Sequence, residues 1–346
     1  MIDPAKLAAW RERFPNDRPH QTEDAGFRKA AALAFREDGR RSLPYSGIAT
    51  LLGTPYRPEA PEQADFGGLD VALIGVPMDL GVTNRAGSRL GPRAIRNVER
   101  IGPWHTALKL APLAELSAAD VGDVPFRSRF SLAESLEDIE AFVARAVAAG
   151  VRPLSAGGDH SISYPILRAV GRARPVGMVH IDAHCDTSGV YEGSRFHHGG
   201  PFRQAVLDGV LDPARSIQIG IRGGGEYLWE FSTATGMTVI HAEEVDALGM
   251  DAVIARARAV AGDGPVYVSF DVDGIDPAFT PGTGTPEVGG LTPREAQRLL
   301  RGLAGLDIVG GDVVEVAPQY DATTVTAQVG AQMMFEILAL LALARR

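Results

Sequence analysis

From Leu69 onward, short apolar runs alternate with longer stretches of helical spacing. The run at 71–76, VALIGV, is closed by Pro77. Similar runs lie at 152–155, 177–182, 217–221, 238–241, 266–271 and 312–316. They are continuously apolar rather than alternating, as expected of strands buried on both faces. Between them, residues 91–99, 136–149, 165–172, 201–207, 252–261, 293–303 and 324–343 have the spacing of helices, with Pro92 well placed for a first turn. Strand and helix in alternation predict βαβ units. The expected fold is α/β: a three-layer α/β/α domain around a mostly parallel sheet of about eight strands. Ligands in such folds bind off the carboxyl ends of the strands.

Residues 1–65 do not share this pattern. They are rich in Pro, Arg and Glu, with one expected helix at 6–14. We read them as an N-terminal extension that covers the pocket or an oligomer contact, and residues 66–346 as one catalytic domain.

Composition narrows the class. Charged residues at 22% and hydrophobic residues at 45% suit a packed globular chain. The 40 glycines point to tight turns or to backbone lying close to a ligand. A net charge of -9 argues against nucleic-acid and anionic-membrane partners. The single cysteine, Cys185, cannot form an internal disulfide. No signal-peptide pattern opens the chain, and the apolar run at 337–344 is too short to span a bilayer, which takes ~20 residues. A cytoplasmic enzyme is the expectation.

Candidate chemistry gathers past the ends of three expected strands. Gly157-Gly158-Asp159-His160-Ser161 follows the first, Asp182, His184 and Asp186 end the second, and Asp271, Asp273 and Asp276 end the third. Residues two apart share a face of a strand, so Asp182 points with His184 and Asp271 with Asp273. Several carboxylates in one place cannot all ionise without compensation, and divalent metal supplies it. Carboxylate-rich sites suit Mn²⁺, and imidazole also admits Ni²⁺, Zn²⁺ and Fe²⁺. Four Asp and two His exceed one tetrahedral zinc but suit two metals. Asp182 and Asp186 would lie ~13 Å apart on a straight strand, whereas paired metals sit ~3.5–4 Å apart. The strand must therefore end near Asp182 and the chain curl back. Each motif alone has a blander explanation in a helix cap, a turn or a calcium-like loop; their coincidence at three strand ends favours metal.

These three motifs, with 282–286 (GTGTP) and 313–318 (VVEVAP), resemble the signatures of the ureohydrolases, the arginase and agmatinase family. The resemblance runs from about Phe66 to Arg346. It implies an arginase-like fold and two divalent metals, Mn²⁺ first and Ni²⁺ second. One metal falls to His160, Asp182, Asp186 and Asp271, the other to His184, Asp182, Asp271 and Asp273, with Asp182 and Asp271 bridging. It further implies that His198 shuttles protons and that the Glu315 carboxylate faces the guanidinium group. The implied reaction is hydrolysis of a guanidino compound to urea in a homo-oligomer, trimer or hexamer. The physics agrees: a guanidinium carbon is poorly electrophilic, and two metals sharing a water lower its pKa. A histidine near neutrality can then protonate the leaving nitrogen.

The substrate stays open among guanidine, a short guanidino acid and agmatine, although the loops 81–88, 197–204 and 218–225 resemble the bacterial branch acting on guanidino acids or small guanidines more than arginases. Arg85 is a candidate partner for a substrate carboxylate, and Trp229 either lines the pocket or packs a loop. His180 and Cys185 read as packing residues and His197 as solvated surface. His20, His105 and His241 read as structural, and Asp159 and Asp276 as residues that orient ligands or stabilise turns. Two other functions remain in view: a non-catalytic subunit of a hetero-oligomer, and a single-zinc deacetylase on the related fold.

Overall fold

The computed structural model describes residues 2–15, 24–34, 43, 45–99 and 101–344. Eight strands form one sheet: β1 (Val71–Gly75), β2 (Ala118–Asp123), β3 (Arg152–Ala156), β4 (Val176–Ile181), β5 (Leu211–Ile221), β6 (Thr238–His241), β7 (Val266–Asp271) and β8 (Ile308–Val314). Their order is β2-β1-β3-β8-β7-β4-β5-β6, and every neighbouring pair is parallel.

Alternate residues of the strands feed two apolar layers. Val71 and Leu73 of β1, Val179 and Ile181 of β4 and Val268 and Phe270 of β7 pack on one side, with Val253, Leu299 and Ile337 from the helices covering it. Ala72, Ile74, Met178 and Tyr267 face the other side, against Ile139, Ile166 and Phe202. The three-layer architecture follows from strands that carry apolar residues at both parities.

One strand has no counterpart in the apolar pattern. β2 reads AADVGD, and its two acids and glycine disguise it. The buried Asp120 is compensated: Arg96 reaches its carboxylate at 2.8 and 3.0 Å, and the Leu51 N–H donates to it at 2.9 Å. β8 begins at Ile308 rather than 312, its start hidden by Gly310 and Gly311, and β5 at Leu211 rather than 217, its start hidden by Asp212, Pro213, Arg215 and Ser216.

In the N-terminal segment the helix Pro4–Arg13 buries no residue and Ala25–Ala34 buries only Ala30. The chain joins the body through buried Leu51, Ala60 and Phe66. The segment's described residues do not line the cavity at the strand ends. The final helix, Val325–Leu343, is long and apolar enough by composition to cross a membrane, yet most of it is buried in this fold. Its Glu336 takes a two-point contact from Arg301 (2.6 and 3.0 Å) and bonds His105 Nε2 at 2.6 Å. Leu108 N–H donates to His105 Nδ1, so His105 carries its proton on Nε2 and serves the fold.

Candidate metal centre and active site

The site is built on the carboxyl ends of β3, β4, β7 and β8. After β3 the chain turns at Gly157–Gly158, where a Cβ on Gly158 would stand 1.7 Å from the Met78 carbonyl oxygen. Asp159 caps the next turn, accepting from Ser161 N (2.9 Å) and from Gly81 N (2.7 Å). This fixes His160 over the sheet. β4 ends at Ile181, and the chain then curls back through Asp182, His184 and Asp186, with Asp186 at a φ of +52°. Asp271 closes β7, and Asp273 lies in the single turn Val272–Gly274 that Asp271 caps through the Asp273 N–H at 2.8 Å.

These turns bring all six residues together. His160 Nδ1 lies 3.0 Å from Asp182 Oδ2, 2.9 Å from Asp186 Oδ2 and 3.2 Å from Asp271 Oδ2. His184 Nδ1 lies 3.2 Å from Asp273 Oδ2 and 3.4 Å from Asp182 Oδ1. Asp182 thus turns one oxygen to each histidine, the placement a bridging ligand needs. His160, Asp182, Asp271 and Asp273 are almost wholly buried. Burial, then the charges of Asp273 and Asp182, hold the Asp271 carboxyl well above the usual carboxylate range. Burial and Asp182 push Asp273 up to about 6. Burial opposes a charge on His160, but the three surrounding carboxylates outweigh it and raise its pKa. The cluster draws a positive charge to the point where His160 Nδ1, buried and without a hydrogen-bond partner, meets three oxygens. The donor set, its negative charge and this unpartnered nitrogen fit two divalent cations.

Beside the cluster stands a second group. His198 Nδ1 lies 2.8 Å from Glu315 Oε1, and its Nε2 lies 3.1 Å from Thr83 N and 2.7 Å from Thr83 Oγ1. The Thr83 N–H donates to Nε2, so the neutral ring carries its proton on Nδ1 and donates it to Glu315. Burial disfavours the imidazolium, but the Glu315 charge and hydrogen bond outweigh it, raising His198 to about 9. Glu315 stands at a φ of +63°, just past β8. Its Oε1 also accepts the His160 N–H at 2.9 Å, while its Oε2 is buried with no partner. A carboxylate oxygen left bare in a buried site is a place for a cation with N–H donors.

A cavity of about 430 Å³ opens onto His184, Asp186, His198, Asp271 and Asp273. Trp229 lines it and also meets the His241 ring edge-on at 4.9 Å, so it both walls the pocket and packs against the end of β6. Arg85 lies elsewhere: its guanidinium donates to the Thr283 and Gly284 carbonyls (both 3.1 Å) and stacks over Tyr320. His197 is buried rather than solvated, with Nε2 on the Gly189 carbonyl at 2.8 Å. Cys185 is buried at the cavity wall, and burial pushes its thiol up to about 12, so it is not a ready nucleophile. His241 bonds the Ile221 carbonyl at 3.2 Å, and Asp276 accepts backbone N–H groups of Ala278, Gly289 and Gly290. His20 lies outside the described residues.

The motifs did not disclose Thr83, Arg222 or His180. Arg222 holds the Asp273 turn, donating to the Asp273 carbonyl at 2.6 Å and to the Glu287 carbonyl at 2.6 Å. His180, fully buried, bonds Asp182 Oδ2 at 2.7 Å. Its parity with Asp182 was the available signal.

The arginase-family model matches residues 69–340. A guanidinopropionase of Pseudomonas aeruginosa is 50% identical over 309 residues, spanning 88% of this chain and 97% of its own. The mitochondrial agmatinase of Gallus gallus is 44% identical over 322 residues, 90% of this chain and 93% of its own. Among solved structures, proclavaminate amidino hydrolase from Streptomyces clavuligerus superposes with a TM-score of 0.81 at 36% identity, covering 88% of this chain and 100% of that one. The fold, the strand-end cluster and these likenesses agree: the chain belongs to the arginase family.

Proposed function

We propose that the protein is a binuclear-metal hydrolase that cleaves a C–N bond of a short guanidino acid and releases urea. The observation that carries this reading is the bare, buried Glu315 Oε2 beside a cluster of two histidines and four aspartates. His160, Asp182, Asp186 and Asp271 would hold one ion, and His184, Asp182, Asp271 and Asp273 the other, with Mn²⁺ preferred over Ni²⁺. When bound, the ions provide a hydroxide nucleophile at neutral pH. Glu315 Oε2 accepts N–H bonds from the guanidinium and turns its carbon toward the cluster. His198, held between Glu315 and Thr83, carries the proton that the departing amine needs. Asp186 serves as a ligand and, beside His198, raises that residue's affinity for its proton.

Trp229 walls the substrate tail. The carboxylate contact first assigned to Arg85 falls to Arg203, which lines the cavity, whereas Arg85 stabilises the loop above it. The 50% identity to the guanidinopropionase, above the 44% to the agmatinase, supports a guanidino acid over agmatine. We place the enzyme in the cytoplasm as a homo-oligomer, trimer or hexamer; size-exclusion chromatography with light scattering tests the latter. Two metals' worth of ligands on one chain disfavours both a non-catalytic subunit and a single-zinc deacetylase.

Urea release across guanidine, agmatine, guanidinopropionate and guanidinobutyrate, with Mn²⁺ or Ni²⁺ added, tests the reading. The guanidino acids should lead. Equal rates on all four would refute a selective pocket, and no urea from protein carrying two ions would refute the function.

A further inference from the structure

A buried polar row crosses the sheet just beneath the metal cluster. Strand pairing sets Gln218 of β5 opposite His180 of β4, His180 opposite Ser269 of β7, and Ser269 opposite Asp312 of β8. All four side chains are fully buried. They share the face of Met178 and Tyr267, while their sequence neighbours Val179, Ile181, Ile217, Ile219, Val268, Phe270 and Val313 pack on the other side. Burying polar groups in the middle of a sheet is costly unless each is hydrogen-bonded, so the row calls for a physical reason.

The hydrogen bonds run in a fixed sense from both ends. Gln218 Nε2 donates to the Cys185 carbonyl at 2.6 Å and to His180 Nδ1 at 3.0 Å. With Nδ1 accepting, His180 holds its proton on Nε2 and donates it to Asp182 Oδ2 at 2.7 Å. At the other end, Tyr267 and Ser163 hydroxyls donate to Asp312 Oδ2 at 2.7 and 2.6 Å. Ser269 Oγ donates to Asp312 Oδ1 at 2.7 Å, which leaves its lone pair to accept from His160 Nε2–H at 2.8 Å. His160 is thereby held with Nδ1 bare, and Nδ1 is the atom that faces three carboxylates. The two halves of the row converge on His160 Nδ1 and Asp182 Oδ2, which are 3.0 Å apart. Phe202 wedges both rings, 4.5 Å from His180 and 5.2 Å from His160.

We infer that Gln218, His180, Ser269 and Asp312 form a positioning frame for the metal centre, setting the tautomer of His160 and the orientation of Asp182 before any ion binds. None of the four lines the cavity, and all four are fully buried beneath the cluster. The inference rests on His160 and Asp182 being metal ligands. Outer partners of this kind govern metal affinity by about 10- to 100-fold.

The test measures the Mn²⁺ dissociation constant from the spin-resonance signal of free Mn²⁺, with kcat and KM at saturating Mn²⁺ and the melting temperature of metal-free protein. His180→Leu and Ser269→Ala should each weaken Mn²⁺ binding roughly 10- to 100-fold while KM stays within a factor of two at saturation. His180→Gln, which places an amide donor near the position of Nε2, should restore affinity. Gln218→Met should weaken binding less, and add nothing in the His180→Leu background, because it acts only through His180. Unchanged Mn²⁺ affinity in His180→Leu and Ser269→Ala, with only the melting temperature lowered, would reduce the row to core packing and overturn the frame. Equal losses in His180→Leu and His180→Gln would also overturn it. If His180→Leu does not fold, Ser269→Ala and Gln218→Met decide. Failure of the wild-type chain to take up two Mn²⁺ would instead remove the metal reading itself.

Discussion

Glu315→Gln exchanges one oxygen for an amide and keeps the shape. Glu315 Oε1 accepts two N–H groups, from the His160 backbone at 2.9 Å and His198 Nδ1 at 2.8 Å. Both need an acceptor there, so the glutamine must place its carbonyl at Oε1 and its NH₂ where Oε2 stood. That NH₂ would face the guanidinium N–H groups, donor against donor. The variant loses charge-assisted hydrogen bonds worth about 1.5–3 kcal/mol each. Two such bonds, about 3–6 kcal/mol, correspond to a fall in kcat/KM on the order of 10² to 10⁴. The fold and the metal cluster keep their contacts, so melting temperature and Mn²⁺ content should hold. His198 should also change: burial disfavours its charge, and the Glu315 carboxylate that offsets burial is gone, so its pKa falls from about 9. Urea release with guanidinopropionate and guanidinobutyrate, with metal content from the same preparation, measures the effect. A variant with two ions and kcat/KM within tenfold of wild type would show that Glu315 Oε2 does not meet the guanidinium.

Three further outcomes are expected. Asp273→Ala removes the oxygen 3.2 Å from His184 Nδ1 and should halve the Mn²⁺ content and abolish most turnover with the fold intact by circular dichroism; wild-type rates in metal-stripped buffer would refute a binuclear mechanism. His198→Ala should lower kcat by about 10²–10⁴, the span of general acid–base catalysis, with Mn²⁺ content unchanged; unaltered turnover would remove it from the reaction. Glu336 sits below its ordinary value of 4.5 because the His105 and Arg301 hydrogen bonds outweigh the opposing effect of burial. A carboxylate depressed in the folded chain stabilises above its unfolded pKa and loses that contribution as pH falls through the folded one. Wild type should therefore lose more stability than Glu336→Gln on acidification below about pH 4.5, and equal slopes in urea melts would contradict the pairing.

The layer order was legible because seven of the strands are apolar at both parities, and β2 was not because Asp120 needs a partner, Arg96, that the linear pattern does not supply. The six cluster residues were legible because they sit within a few positions of strand ends, where parallel sheets gather their chemistry. What sequence could not give was anything set by pairing across strands. Gln218, His180, Ser269 and Asp312 come from four strands more than ninety positions apart at the extremes, and only sheet register places them side by side. Arg85 misled for a related reason: an arginine in a pocket-side loop is as well used by the loop's own carbonyls as by a substrate. His197 looked solvated beside His198 because neighbouring positions in a loop need not share an environment.

The position of β8 bears on how the molecule is made. β2-β1-β3 is built from residues 71–156 and β7-β4-β5-β6 from residues 176–271, and β8 is the strand that joins the two. Until residues 308–314 leave the ribosome, β3 and β7 each present an open edge, the kind of surface that invites aggregation. Glu315 and Asp312 arrive with that last strand. A nascent chain therefore carries the four cluster aspartates for about forty residues of synthesis, from Asp273 to Glu315, before the carboxylate proposed to hold the substrate arrives. The arrival of β8, more than any single contact, is the event that joins two half-sheets into one.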